Sequence, residues 1–239
     1  MNFGFKQRCK RADLILCKTE ITRDLIPAKQ RDKAVLFTDV AVENITQAPT
    51  TGEGAKDCTD FITVGRLDAW RGFDLAIESF ARAAKKNSNI HLTIVGKGGD
   101  KERLIALAKE LGVKEKITFT GKVEMEEYYR LLAKSDAVIN ASLKEGAVTV
   151  SFDTLAMGKP LICLDTTGYT RYFSNDYAVL IPRTGREQVI EEMSAAITRL
   201  CNEQERKAIG EKAKNAGEQF TWEARGREFC ELLMSKLQK

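Results

Sequence analysis

From residue 61 onward, short apolar runs alternate with longer segments whose apolar positions recur every three to four residues. The runs "FITVG", "IHLTIVG", "KITFTG", "DAVINAS", "PLICLD" and "AVLIP" are too short for helices and read as six buried strands. Between them, "GFDLAIESFARAAKK" places Phe73, Ile77, Phe80 and Ala84 on one helical face. "GGDKERLIALAKELGV" does the same with Leu104, Leu107, Ala108 and Leu111. "MEEYYRLLAKS" and "VTVSFDTLAMG" supply two more helices, and three further helical segments close the chain. Such alternation specifies an α/β, Rossmann-like parallel sheet with helices on both faces.

Before residue 61 the pattern is weaker. Residues 12–26, "ADLILCKTEITRDLI", read as a short strand, a polar turn and a short helix, and "KAVLF" (33–37) as another strand. "NITQAPTTGEGAKDCT" lacks periodicity and reads as a linker. In the last helix, Trp222, Phe229, Leu233 and Leu237 follow helical spacing along one side, a strip expected to pack on residues 12–26 or to meet a partner.

Composition adds little to this picture. Hydrophobic residues make up 43% and charged residues 30%, as in a packed globular protein, and a net charge of +4 is too small to argue for nucleic acid. Residues 1–33 hold nine Lys/Arg against four acids, a solvated face or a patch for anionic lipid or an acidic substrate. The six cysteines form no CxxC pair, and His91 is the only histidine, so no metal set is expected and a reducing cytosol is. No apolar run approaches the roughly 20 residues of a membrane span, and "LILC" is too short for a signal peptide.

Ligands on a parallel sheet bind beyond the carboxyl ends of its strands. "VGRLDAWRGFD" places Gly65, Arg66 and Arg71 there, where backbone can approach a ligand and guanidiniums can fork onto phosphate oxygens. "VGKGG" offers Gly96, Gly98 and Gly99 at a strand-to-helix turn, and "TGKV" another tight strand end. In "SLKEGAVTVSFDTLAMGKP", Gly146 and the β-branched run Val148-Thr149-Val150 disfavour helix before about residue 149. Glu145 then falls in a loop and Asp153 one turn into a helix, flanking an N-terminus that favours anions. Read alone, Asp153 serves equally as an acid complementing the helix dipole, and Glu145 as a solvated loop acid.

The ordered set "VGRLDAWRGFDLAIESF", "LTIVGKGGDKERLIALAKELGV", "SDAVINASLKEGAVTVSFDTLAMGKPLI" and the late "TWE" resembles the donor-binding half of retaining GT-B glycosyltransferases of family 4. The resemblance covers roughly residues 60–235. It implies that Gly65, Arg66 and Arg71 grip the donor diphosphate, Arg71 standing where the family has Lys. The family's Glu-x7-Glu motif falls on Glu145, for the transferred sugar, and Asp153, for the ribose; Asp shortens the reach by about 1.5 Å. The backbone of Gly146, Ala147 and Val148 would bond sugar or phosphate oxygens, Gly96 would line the donor, and Lys122-Val123 would present backbone to the base. Catalysis would need no metal or other cofactor, the substrate being a nucleoside diphosphate sugar such as a UDP- or GDP-sugar.

By the same resemblance, residues 1–45 correspond to the last elements of an N-terminal acceptor-side domain, 46–59 to a linker, and 60–239 to the nucleotide-sugar domain. The rest of the acceptor-side domain, which would hold a glycan or lipid acceptor, has no counterpart in the sequence. The implied protein transfers a hexose-type sugar with retention in the cytoplasm, with its basic N-terminal segment available to the inner membrane face. The rival from another class is a catalytically silent nucleotide-sugar-binding module needing its acceptor domain in trans. A nicotinamide dehydrogenase fits less well, because "VGKGG" is not a full glycine fingerprint and no acid follows at the next strand end. His91 reads as a strand-edge residue, and Tyr128 and Tyr129 as helix packing.

Overall fold

The computed structural model describes residues 3–43, 58–144, 149–166 and 168–237. It begins with α1 (Phe3–Arg11), β1 (Ile15–Cys17), α2 (Glu20–Asp24) and β2 (Ala34–Leu36). The main body follows as β3 (Thr59–Val64), α3 (Phe73–Ala84), β4 (Ile90–Val95), α4 (Lys101–Glu110), β5 (Ile117–Gly121), α5 (Met125–Lys134) and β6 (Ala137–Asn140). It continues with α6 (Thr149–Ala156), β7 (Leu161–Leu164), β8 (Ala178–Ile181), α7 (Arg186–Arg199), α8 (Glu203–Gly217) and α9 (Trp222–Leu237).

Strands β3 to β8 form one parallel sheet in the order β5-β4-β3-β6-β7-β8. Residues alternate across it. Phe61, Leu92, Ile94, Ile139 and Ile162 enter one core with α3, α4 and α7. Ile62, Val95, Val138, Leu161 and Cys163 enter the other with α5, α6 and α8. Burial on both faces is why each strand reads as a continuous apolar run. The chain lays β3, β4 and β5 outward in one direction, then returns to place β6 on the other side of β3. The strand order reverses there, and the C-terminal ends of β3 and β6 mark the place where an open α/β sheet is expected to form a ligand crevice.

Helix α6 is anchored beside that crevice by Phe152, which is fully buried. Its ring lies 4.7 Å from Phe220 and 5.3 Å from Phe173 between centroids. Aromatic pairs in such tilted and edge contacts add about 0.5–1.5 kcal/mol each beyond burial. The anchor fixes which way the neighbouring Asp153 points.

The first 43 residues pack as a smaller layer. β1 and β2 pair in parallel over a core of Cys9, Cys17 and Ile26. The layer is tied to the main body through residues 37–42: Val42 N–H donates to Phe220 O at 2.9 Å, and Trp222 N–H to Val42 O at 3.3 Å. Arg225 of α9 donates to Thr38 O at 2.8 Å and stacks 4.2 Å over Phe37, and Phe229 packs on the same ring at 5.6 Å. Of the strip expected to pack on residues 12–26 or to meet a partner, Phe229 packs on Phe37, after β2. Trp222 itself is 59% exposed. The structure also shows α1, which the sequence pattern left unread. Its nine residues bury only Cys9, so no apolar stripe announces it.

His91 is the second residue of β4, which lies between β3 and β5. Its Nε2 sits 3.0 Å from Thr118 Oγ1 and its Nδ1 3.6 Å from Asp60 Oδ1, at the N-terminal rim of the sheet, away from the crevice.

Candidate functional site

Hydrogen bonds link the strand ends facing the crevice into a continuous row. Gly96 N–H donates to Gly121 O at 2.9 Å, and Gly65 N–H to Val95 O at 3.0 Å. The loop after β3 is held on both flanks. Leu67 N–H donates to Lys97 O at 3.0 Å, Asp100 N–H to Leu67 O at 3.0 Å, and Leu143 N–H to Trp70 O at 2.9 Å. Sequence-distant loops are thereby fixed to one another, a requirement for presenting side chains to a ligand.

Two glycines permit this crossing. Gly72 has φ 66°, and a Cβ there would lie 2.0 Å from Ala141 O. A Cβ on Gly96 would lie 1.8 Å from Gly65 O. Gly96 also spends its N–H on Gly121 O, so its evident contribution is the close approach of β4 and β3 ends. Gly98 packs similarly on Leu67, whereas Gly99 has open space around its Cβ position.

Arg66 and Arg71 leave this loop on the crevice side of the sheet. The Arg66 side chain is 69% exposed, with Nη2 3.1 Å from Asp68 Oδ2. Arg71 is half-buried: its guanidinium stacks 4.4 Å over Trp70, and its Cδ would lie 3.9 Å from a Cβ on Gly65. One arginine is thus extended and solvated, the other laid flat by stacking. Guanidiniums are suited to both arrangements.

Beyond β6, Asn140 Nδ2 donates to the buried Ser151 Oγ at 3.0 Å, joining the strand end to the first turn of α6. Arg183, after β8, donates to Leu143 O at 3.1 Å. Helix α6 spans Thr149–Ala156, taking in two of the three β-branched residues, and Asp153 sits just over one turn in. It is 2% exposed, and its Oδ2 accepts a 2.7 Å bond from the Tyr128 hydroxyl of α5. Burial pushes its carboxyl up to about 6, with the Tyr128 bond pulling the other way. Burial likewise pushes the Tyr128 phenol far up, and the Asp153 charge adds to that. An exposed acid serving the helix dipole would not be enclosed in this way. Tyr128 is therefore more than the packing residue its place in the α5 stripe suggested.

Lys122 is exposed and Val123 packs on the second core, both directly after β5. The structure thus sets Gly65, Arg66, Arg71, Gly96, Lys122, Val123 and Asp153 along one edge of the sheet. Glu145, Gly146, Ala147 and Val148 lie outside the described residues. Among the described residues no group of three or more His, Cys, Asp or Glu is placed to hold a metal ion, and no helix is long and apolar enough to cross a membrane.

Residues 52–216 match the family model of glycosyl transferases group 1. Among curated proteins, the chain is 30% identical over 187 residues to a Campylobacter jejuni enzyme named N-acetylgalactosamine-N,N'-diacetylbacillosaminyl-diphospho-undecaprenol 4-alpha-N-acetylgalactosaminyltransferase. That alignment covers 78% of this chain and 49% of the relative. Among solved structures it superposes on the pneumococcal O-GlcNAc transferase GtfA, in complex with UDP and GlcNAc. The TM-score is 0.82 at 18% identity, over 100% of this chain and 48% of that one. Anabaena HepE, in complex with UDP and glucose, gives 0.79 at 16% identity, over 97% and 66%. The two structures share the fold. The chain spans about half the length of the curated relatives it matches.

Proposed function

This chain belongs to the glycosyl transferases group 1 family, and we propose that it is the donor-binding part of a retaining, metal-independent glycosyltransferase of the GT-B type. The observation that carries the reading is the joining of two loops at the β3/β6 crevice. The segment bearing Arg66 and Arg71 is bonded to the segment leading into Glu145 and α6 through Leu143 and Trp70. The diphosphate of a nucleotide sugar meets Arg66 and Arg71, Glu145 and the backbone of Gly146 to Val148 hold the sugar, Asp153 takes the ribose, and Lys122-Val123 meets the base.

In the transfer, the bond from the anomeric carbon to the diphosphate breaks and its electron pair leaves with the phosphate oxygen. The acceptor hydroxyl bonds to that carbon on the face the diphosphate leaves and passes its proton to the departing phosphate oxygen. Charge develops on the departing diphosphate, and the guanidiniums of Arg66 and the stacked Arg71 stabilise it there, an effect worth several kcal/mol where the donors are preorganised. The UDP in the GtfA and HepE structures supports a nucleoside diphosphate here.

A specific feature favours acceptor binding by polypeptide outside these 239 residues. β1 and β2 form a two-stranded parallel sheet on which Leu16 is 41% exposed. Parallel sheets are normally covered on both faces, so further strands or helices belong on this layer. On this reading the chain alone binds donor and transfers nothing until that part is present. The acceptor is a glycan or lipid at the cytoplasmic face of a membrane. The basic α1, with Phe3 81% exposed, supports a peripheral contact there.

A panel of UDP, GDP and ADP with their sugars, read by thermal shift, tests the binding role, and a donor-hydrolysis and transfer assay tests the chemistry. Binding without turnover supports the two-part reading, and failure of every nucleotide removes the donor site.

A further inference from the structure

Helix α5 turns one phenol toward α6 and nothing else in the fold requires its oxygen. Phenylalanine at position 128 would fill the same place in the stripe with Leu132. The Tyr128 hydroxyl has Asp153 Oδ2 as its hydrogen-bond partner, at 2.7 Å between two buried side chains. Among the described residues nothing donates to the other carboxylate oxygen, Oδ1. Among the described residues, the titratable groups facing Asp153 are Tyr128 and Tyr129 of α5, with Glu43 beyond Tyr129, and none is a cation. With one described donor, the 2% exposed carboxylate keeps acceptor capacity for a ligand. A vicinal diol would fill that capacity without adding charge.

Resting on the donor-site reading above, we propose that Tyr128 is the positioning residue of the ribose-binding carboxylate. By donating to Oδ2 it fixes the Asp153 rotamer and leaves Oδ1 as the acceptor for the ribose hydroxyls. Asp has one methylene fewer than Glu, so a short acid must be aimed rather than left to search. The Tyr128 bond supplies the aim.

The test pairs each of UDP, GDP and ADP with its 2′,3′-dideoxy form and measures affinity calorimetrically on three proteins: the unsubstituted chain, Tyr128→Phe and Asp153→Asn. The unsubstituted chain should prefer the ribonucleotide by about tenfold or more, the worth of hydrogen bonds to a charged group. In Tyr128→Phe the preference should shrink to about threefold or less while dideoxy affinity stays within about twofold, and Asp153→Asn should lose it as well. A merely structural Tyr128 would weaken both ligands together and leave their ratio intact. The ratio is read on one sample, so a lower folded fraction does not alter it. If Tyr128→Phe keeps the full preference while Asp153→Asn loses it, the positioning role is overturned and the donor site stands. If the unsubstituted chain binds nucleotide without preferring ribose, Asp153 is not the ribose acid and the inference falls with that assignment. If it binds none of the three, the donor site itself is wrong.

Discussion

A Cβ on Gly72 would lie 2.0 Å from the carbonyl oxygen of Ala141, so the loop after β3 and the end of β6 touch backbone to backbone. Sixty-nine residues of sequence separate them, and the contact sets the spacing between the ends of β3 and β6.

That contact predicts the effect of single methyl groups. Gly72→Ala introduces a clash with backbone and a side chain at φ 66°, and should cost about 3 kcal/mol or more. Gly99→Ala, three residues past Gly96 in the same glycine cluster, meets nothing within 4 Å and should be neutral within about 0.5 kcal/mol. Urea denaturation of both variants checks the contrast. Equal stability would mean that the two loops are not locked together.

Asp153 should act against stability at neutral pH. Its folded carboxyl titrates near 6 against an ordinary value of 3.8, so between these values the fold holds a proton that the unfolded chain has released. Stability from this group therefore falls as pH rises from about 4 to 6, by on the order of 3 kcal/mol, and stays lowered above that. Asp153→Asn keeps an acceptor for Tyr128 and removes the charge. It should be more stable than the unsubstituted chain by about 1–3 kcal/mol at pH 8 and no more stable at pH 4. Denaturant midpoints at the two pH values measure this; a gain at pH 4 as large as at pH 8 would contradict the assignment of burial as the cause.

The Arg66–Asp68 pair should compete with an anionic ligand. Its side chains are 69% and 31% exposed, so the pair contributes little to stability, about 0–1 kcal/mol. Asp68→Asn should leave folding unchanged and tighten nucleoside diphosphate binding by about two- to fivefold at low salt, the gain fading as salt rises. Titrations at two ionic strengths would show it, and weaker binding by Asp68→Asn would show that Asp68 organises Arg66 rather than occupying it.

Much of this architecture was written in local pattern. The six apolar runs and the stripe of Phe73, Ile77 and Phe80 specify a sheet buried on both faces. The strand ends followed from the fold class, so Gly65, Arg66, Arg71 and Asp153 could be singled out before any coordinates. The bond from Tyr128 to Asp153 could not. Twenty-five residues and a strand separate them, and apolar spacing does not distinguish a packing tyrosine from one aimed at an acid. α1 escaped because a helix burying one cysteine has no stripe. Placement of α9 on Phe37 and Thr38 depended on Arg225, a charged residue whose burial has no sequence signal.

On the donor-site reading, Arg66 and Arg71, in the loop after β3, receive the diphosphate of a nucleotide. The most direct measurement is a calorimetric titration of UDP, GDP and ADP into the unsubstituted chain and into Arg66→Ala and Arg71→Ala. Saturable one-site binding of at least one nucleotide, lost or weakened about tenfold or more in each variant with the fold intact, is the result expected. Binding by none of the three, or binding that both variants retain unchanged, would contradict it.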